Sequence, residues 1–311
     1  MKYRFSRIFF LVILFFGSFI NGCRTQIGEG DRIWNEFVAP HRKVMDMGSY
    51  NMHYISIGQG EPVVMVHGFA DSTYSWHENI KTLLEAGFRV ILVDQPGHGR
   101  TEIPPEPYIY SIENQAGEIL KLTNALQLER FNLVGQSLGG VITLYISLNY
   151  PQKVQKAVVI NPPAFGPPHR LALTCPGMAY LASAFAGRWT LEFNLKSVYY
   201  DDNKVDDILI DEYTRPTQKP GFWKMFSSLS NQCFSSEFDR MSKNYHQTSM
   251  PLLIIWGEQD EWIPLEIASR LHEKINNSRL VTLENCGHNS HQECSDRVNP
   301  IILEFLKTIE Q

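Results

Sequence analysis

The stretch Phe131-Asn132-Leu133-Val134-Gly135-Gln136-Ser137-Leu138-Gly139-Gly140 decides the fold. Asn132–Val134 is a short apolar run that suits a strand buried on both faces. Leu138–Asn149 repeats its apolar residues at helical spacing. Between them stands Gly135-Gln136-Ser137-Leu138-Gly139. A strand that turns sharply into a helix at a serine exposes the hydroxyl above the sheet. Flanking glycines let the backbone pack where a Cβ would clash. The helix N-terminus adds positive partial charge beside the reacting centre. The bare pattern is common by chance, and the strand before it and helix after it make it specific. Ser137 is therefore the candidate nucleophile.

Outward from this turn, short apolar runs recur at Val63–Val66, Val90–Val93, Val154–Ile160, Leu252–Trp256 and Leu280–Leu283. Helical stretches such as Ser111–Leu128 lie between several of them. This alternation predicts an α/β fold, a mostly parallel central sheet with helices on both faces. Val44–Met47 and Met52–Ile57, around Gly48-Ser49, predict an antiparallel start. From about Pro163 to Ser249 the strands stop and aromatics crowd in, among them Tyr180, Phe185, Trp189, Phe193, Tyr199, Tyr200, Phe222, Trp223, Phe226, Phe234 and Phe238. Such a length is too great for a structureless loop. It predicts a helical cap over residues 163–249 on a core of residues 43–162 and 250–311. Most of the aromatics are expected to form the cap's own core, and a minority to line a pocket beneath it.

The other chemical parts follow strands as well. His67-Gly68-Phe69 comes after Val63–Val66, where the backbone N–H of Phe69 can hold an oxyanion together with that of Leu138. Asp260 follows Leu252–Trp256, at the strand end where open α/β sheets build sites. His288 follows Leu280–Leu283. A neutral serine hydroxyl is a weak nucleophile and needs a base held by an acid. Ser137, Asp260 and His288 are the candidate set, in that chain order.

With these motifs the sequence resembles the α/β-hydrolase superfamily, in the branch carrying a helical cap between two late strands. The resemblance runs from about residue 43 to the end. It includes Asp94-Gln95-Pro96-Gly97-His98-Gly99, Gly257-Glu258-Gln259-Asp260 with Pro264, and Gly287-His288 with Glu293. It implies a structural role for Asp94 and His98, a Ser-His-Asp serine hydrolase and no cofactor. Serine argues against the haloalkane dehalogenases and similar epoxide hydrolases, which use aspartate at the turn. Leu138 after the serine departs from the proline-specific aminopeptidases, which favour Trp. Asn289 departs from the family's carbon–carbon bond hydrolases, which often carry Trp after the histidine. The main expectation is a small-molecule carboxylic ester with an apolar acyl part. A carbon–carbon bond hydrolase, or a non-catalytic binder of small ligands, is the alternative.

Length and charge set outer limits. The chain has 311 residues, 43% of them hydrophobic, enough for one large α/β domain. Its formal charge is −5, and removing Lys2, Arg4 and Arg7 with a leader makes it more acidic. Nucleic acid is thus not an expected partner, because phosphate binding needs a basic face. After those three cations, Ile8 to Ile20 is uncharged and apolar, yet shorter than the roughly 20 residues a spanning helix needs. These are a signal peptide's proportions, expected over residues 1–22. Ile20-Asn21-Gly22-Cys23 resembles a bacterial lipobox, although Asn21 is unusual there. That implies export, cleavage before Cys23, lipid on its sulfur and a membrane anchor. An ordinary cleaved signal and an uncleaved anchor are the other readings. Cys175, Cys233, Cys286 and Cys294 remain, as two disulfides (286–294 with 175–233) or as buried thiols. Cys286, His288, His291 and Cys294 could in principle hold zinc, but some gaps are tight and His288 already has a role. His291 is expected at the surface or a pocket rim.

Overall fold

Strands made of Val, Ile and Leu on both faces must be covered on both faces, and the chain supplies helices to do so. In the computed structural model, which describes residues 28–166, 187–232 and 237–308, eight strands form one sheet. They are β1 (Arg42–Asp46), β2 (Asn51–Ile57), β3 (Pro62–Val66), β4 (Arg89–Val93), β5 (Phe131–Gln136), β6 (Val154–Ile160), β7 (Leu252–Gly257) and β8 (Ser278–Leu283). Their order is β1-β2-β4-β3-β5-β6-β7-β8. β2 is antiparallel to β1 and β4, and β3 through β8 pair in parallel. Every strand read from the sequence is present, with ends shifted by no more than two residues.

Alternation along β3 shows how the sheet divides its core. Val64 and Val66 pack on one face with Ile112, Ile119, Val141 and Ile142. Val63 and Met65 pack on the other with Ile80, Leu83, Val298 and Ile302. The first group of helical residues lies on α1 (Ile112–Ala125) and α2 (Leu138–Asn149). Ser111 caps α1 by accepting the N–H of Asn114 at 3.1 Å. This helix ends three residues before the expected Leu128, since Leu126 leaves helical geometry and Gln127 has φ 57°.

The chain order changes direction about β3. β4 lies on one side of it and β5 on the other. At such a switch point the loops leaving neighbouring strands part, and a crevice opens beyond their C-terminal ends. The loop after β3 and the turn after β5 meet there.

Between β6 and β7 the described residues form four helices, α3 (Arg188–Val198), α4 (Asp207–Thr217), α5 (Phe222–Gln232) and α6 (Glu237–Asn244). The expectation that most cap aromatics form their own core needs correction. Phe222 and Phe238 join the cluster that holds Val64 and Val66. Trp189, Phe193 and Tyr200 are exposed by 69%, 52% and 51%. The cap is seated on the sheet's core, so its buried residues are shared with it. Tyr180, Phe185, Phe234, Cys23, Cys175, Cys233 and the whole leader lie outside the described residues. Among the described residues no helix is long and apolar enough to cross a membrane.

Candidate active site

At Ser137 the backbone takes φ 49° and ψ −116°, a costly conformation for a residue with a Cβ. Close packing enforces it. A Cβ on Gly135 would strike the Gly139 carbonyl and the Thr143 hydroxyl, and one on Gly139 would strike the Val66 and His67 carbonyls. The Ser137 N–H is held by Ile160 O at 2.9 Å. Leu138 is the first residue of α2, so its N–H has no partner within the helix.

The three candidates converge. Ser137 Oγ lies 2.9 Å from His288 Nε2, and His288 Nδ1 lies 2.7 Å from Asp260 Oδ2. For the imidazole to accept the serine proton at Nε2, its own hydrogen must sit on Nδ1 and point at Asp260. Asp260 is fixed in turn. Its Oδ1 accepts the N–H groups of Trp262 at 2.8 Å and Ile263 at 2.9 Å. Its Oδ2 also accepts Asn161 Nδ2 at 2.7 Å. Trp262 lies over the His288 ring, with centroids 6.0 Å apart and planes 20° from parallel.

Asn161 belongs to none of the sequence motifs. It is the residue directly after β6, with φ 48°, and its Oδ1 also receives Gly257 N at 3.3 Å and Ser290 Oγ at 2.9 Å. Asn tolerates this left-handed conformation better than most residues. Only its position after a strand, opposite the acid's own strand, offered a hint of this role.

The candidate oxyanion loop is held from beneath. His67 donates from Nδ1 to Gly68 O at 2.8 Å and accepts Gln95 N at Nε2, 3.1 Å away. Gly68 allows the loop to reach Ser137, because a Cβ there would meet the Gln136 side chain and stand 3.3 Å from Ser137 Cβ. Phe69 is edge-on to Phe226, with centroids 4.8 Å apart, and Trp223 stands 5.6 Å from Phe226. These half-buried rings form an apolar wall beside the loop. Asp94 is buried and takes hydrogen bonds from Thr73 N at 2.6 Å, His53 Nδ1 at 2.7 Å and Arg100 N at 2.7 Å. Burial alone would raise its pKa, but the hydrogen bond and charge of His53, with His67, hold it below the carboxylate range. Burial, with His67, pushes His98 down to about 3. Both residues stabilise the loop structure and stand apart from Ser137. A separate bowl of about 310 Å³, lined by Arg42, Arg100, Arg215 and Lys219, does not include the triad residues.

At the end of the chain one open alternative is decided and one expectation changes. Cys286 and Cys294 are joined in a disulfide, with Cα atoms 6.3 Å apart. The same sulfurs cannot also ligate zinc as thiolates, and His288 faces Ser137. His291 is not at a rim but wholly buried. The short helix Ser290–Glu293 turns inward after His288 and packs its His291 against Trp76, with centroids 4.7 Å apart and planes tilted by 53°. Glu293, which the sequence marks only as part of a motif, accepts the N–H groups of Gly287, Tyr200 and Asp201 at 2.7, 2.8 and 2.7 Å. One carboxylate thereby binds the cap to the segment that carries His288.

Comparison with known proteins agrees with this architecture. Residues 61–198 match the α/β-hydrolase fold model, and residues 222–311 match a model described as TAP-like protein. The chain is 28% identical to a 2-hydroxy-6-oxo-6-phenylhexa-2,4-dienoate hydrolase of Comamonas testosteroni, over 91% of this chain and 99% of that one. It is 30% identical to a 2-hydroxy-6-oxononadienedioate/2-hydroxy-6-oxononatrienedioate hydrolase of Burkholderia vietnamiensis, over 85% and 93%. A solved meta-cleavage product hydrolase from Pseudomonas fluorescens IP01 is similar at 27% identity and TM-score 0.73, over 85% and 97%. The chain belongs to the α/β-hydrolase family.

Proposed function

We propose that this hydrolase attacks a carbonyl carbon with Ser137, using His288 as general base and Asp260 to orient it. The observation that carries this reading is the continuous contact from Asp260 Oδ2 through His288 to Ser137 Oγ, at 2.7 and 2.9 Å. As Ser137 Oγ bonds to the carbonyl carbon, His288 Nε2 takes its proton. The oxyanion is held by the N–H groups of Leu138 and Phe69. His288 returns the proton to the leaving group, and an acyl group remains on Ser137. Water then repeats the sequence and frees the acid.

The leaving group separates the substrate readings. Most of the similar proteins are named for oxo-dienoates or meta-cleavage products, so hydrolysis of a carbon–carbon bond beside a ketone ranks first. Carboxylic ester hydrolysis ranks second and is favoured by Asn289. That buried residue, in the place where the carbon–carbon hydrolases often carry Trp, accepts a hydrogen bond from Gln136 Nε2 at 3.2 Å. The wall of Phe69, Trp223 and Phe226 suits an apolar or aromatic acyl part in either case.

The test is turnover by purified protein of 2-hydroxy-6-oxo-6-phenylhexa-2,4-dienoate, followed by loss of its absorbance, beside p-nitrophenyl esters of increasing chain length. Ser137→Ala is the control. Faster dienoate turnover supports the first reading, and ester turnover alone supports the second. Binding without turnover of either would leave the protein a ligand binder. The N-terminus carries a separate proposal, lipid attachment at Cys23 after export. The basic start, the apolar run and Gly22-Cys23 support it. Mass spectrometry of the mature N-terminus tests it, and an unmodified Cys23 would reject it.

A further inference from the structure

Several buried polar groups that the reaction does not use converge on one carboxylate. Asp71, two residues after Phe69, is 5% exposed. Its Oδ1 accepts the Ser72 N–H at 2.7 Å. Its Oδ2 accepts the hydroxyls of Ser75 at 2.7 Å and Tyr213 at 2.8 Å. Ser75 Oγ also lies 2.8 Å from His291 Nε2 and 2.9 Å from Gln292 Nε2. Gln292 Nε2 reaches Tyr213 Oη at 3.0 Å, and Gln292 Oε1 accepts the Tyr199 hydroxyl at 2.5 Å.

The hydrogens can be placed one by one. Burial and the neighbouring Asp71 push the Tyr213 phenol far up, so it is a donor. Burial, with His77 and His288, holds His291 down to about 3, so its ring is neutral with one N–H. Its Nδ1 has no partner, which puts that hydrogen on Nε2, facing Ser75. Ser75 then donates to Asp71. With Asp71 ionised, every hydrogen in the cluster has an acceptor and the chain ends on the carboxylate. Protonating Asp71 leaves one donor too many, and such a network is costly when half satisfied.

Three segments meet in this cluster: the loop after β3 (Asp71, Ser75), the cap (Tyr199, Tyr213) and the helix after His288 (His291, Gln292). A second observation stands between Phe69 and Asp71. Ala70 has φ 58°, a left-handed conformation disfavoured for alanine. Backbone of this kind persists where its surroundings over-determine it. Asp71, anchored on one side of Ala70, supplies the restraint.

We propose that Tyr213 and Asp71 are positioning residues whose hydrogen bond ties the cap to the strained loop and so holds the Phe69 N–H at the oxyanion. This rests on the serine-hydrolase reading. Without the tie Ala70 relaxes and the donor swings away, while Trp223 and Phe226, the cap's part of the apolar wall that binds the acyl part, stay in place. The pair therefore governs the chemical step more than binding.

A fluorophosphonate probe tests this without a known substrate. Ser137 Oγ bonds to phosphorus, fluoride leaves, and His288 takes the serine proton. Tyr213→Phe and Asp71→Asn are each expected to slow the limiting inactivation rate about ten- to a hundredfold. The half-saturating probe concentration should stay within about twofold of wild type. Adding Ala70→Gly to Tyr213→Phe relieves the left-handed penalty and should restore part of the lost rate. The pH profile adds a second reading. Burial already raises the Asp71 carboxyl, against His67, Ser75, Ser72 and Tyr213, which lower it. Removing the Tyr213 donor raises it further, so the acid limb of Tyr213→Phe moves to higher pH. Asp71→Asn should show no such shift. Wild-type limiting rates in both variants, or a change confined to half-saturation, would overturn the proposal. Should Tyr213→Phe not fold, Asp71→Asn decides by the same comparison. A well-folded wild type that the probe leaves unlabelled would instead remove the serine-hydrolase reading, and this inference with it.

Discussion

The strand ends and the outer cap treat their side chains in opposite ways. Around Ser137, Asp260 receives four hydrogen bonds, from His288, Asn161, Trp262 and Ile263. Gly135 and Gly139 leave no room for even a methyl group. On α3, by contrast, Trp189 and Phe193 are exposed, and Arg188 spans to Asp207 and Asp211 at the surface. The inner region is over-determined and the outer one is not. Strain at Ser137 and Ala70 is tolerated because rigid strands and buried hydrogen bonds surround it. The cap's outer face is expected to accept substitution without moving the reacting groups.

Substitutions can break or sharpen this contrast. The largest effect is expected for Ser137→Ala, a fall in kcat of about three or more orders of magnitude with the melting temperature retained. Full activity in that variant would end the account of the inner region. Asp260→Asn should follow, costing about two to four orders in kcat because the imidazole loses its productive tautomer. Near-normal kcat there would place the orienting acid elsewhere. Asn161→Ala removes one donor to Asp260 and keeps the triad atoms, so about a tenfold loss in kcat is expected. A kcat unchanged by Asn161→Ala would reduce Asn161 to a backbone role. Replacing both Cys286 and Cys294 by Ser should lower stability by about 2–3 kcal/mol for so short a loop, measured by urea unfolding. The smallest effect belongs to the outer cap: Trp189→Ala and Phe193→Ala should each change stability by no more than about 0.5 kcal/mol. A loss of several kcal/mol would mean that α3 is as tightly determined as the strand ends.

The same contrast explains what the sequence made legible. Ser137 could be read because its turn is local: strand, Gly-x-Ser-x-Gly and helix lie within a few residues. Asp260 and His288 could be read because each follows an apolar run, and the inner strands because burial on both faces writes itself as Val and Ile. Contacts between distant segments left no such mark. Tyr213 and Asp71 are 142 positions apart and share no motif. Asn161 left no mark either, since its amide acts on a carboxylate that follows another strand. His291 looked exposed because polarity was the only signal, whereas a short helix turned it inward against Trp76. The cap's aromatics misled for a related reason. Composition shows that rings must be buried or exposed somewhere, but not that Phe222 shares the sheet's core while Trp189 faces solvent.

Peptide mapping by mass spectrometry after reaction with a fluorophosphonate tests the central claim most directly. The adduct is expected on Ser137 alone, and to disappear in Ser137→Ala. An adduct on another serine, or an unmodified Ser137 in folded protein, would contradict the account.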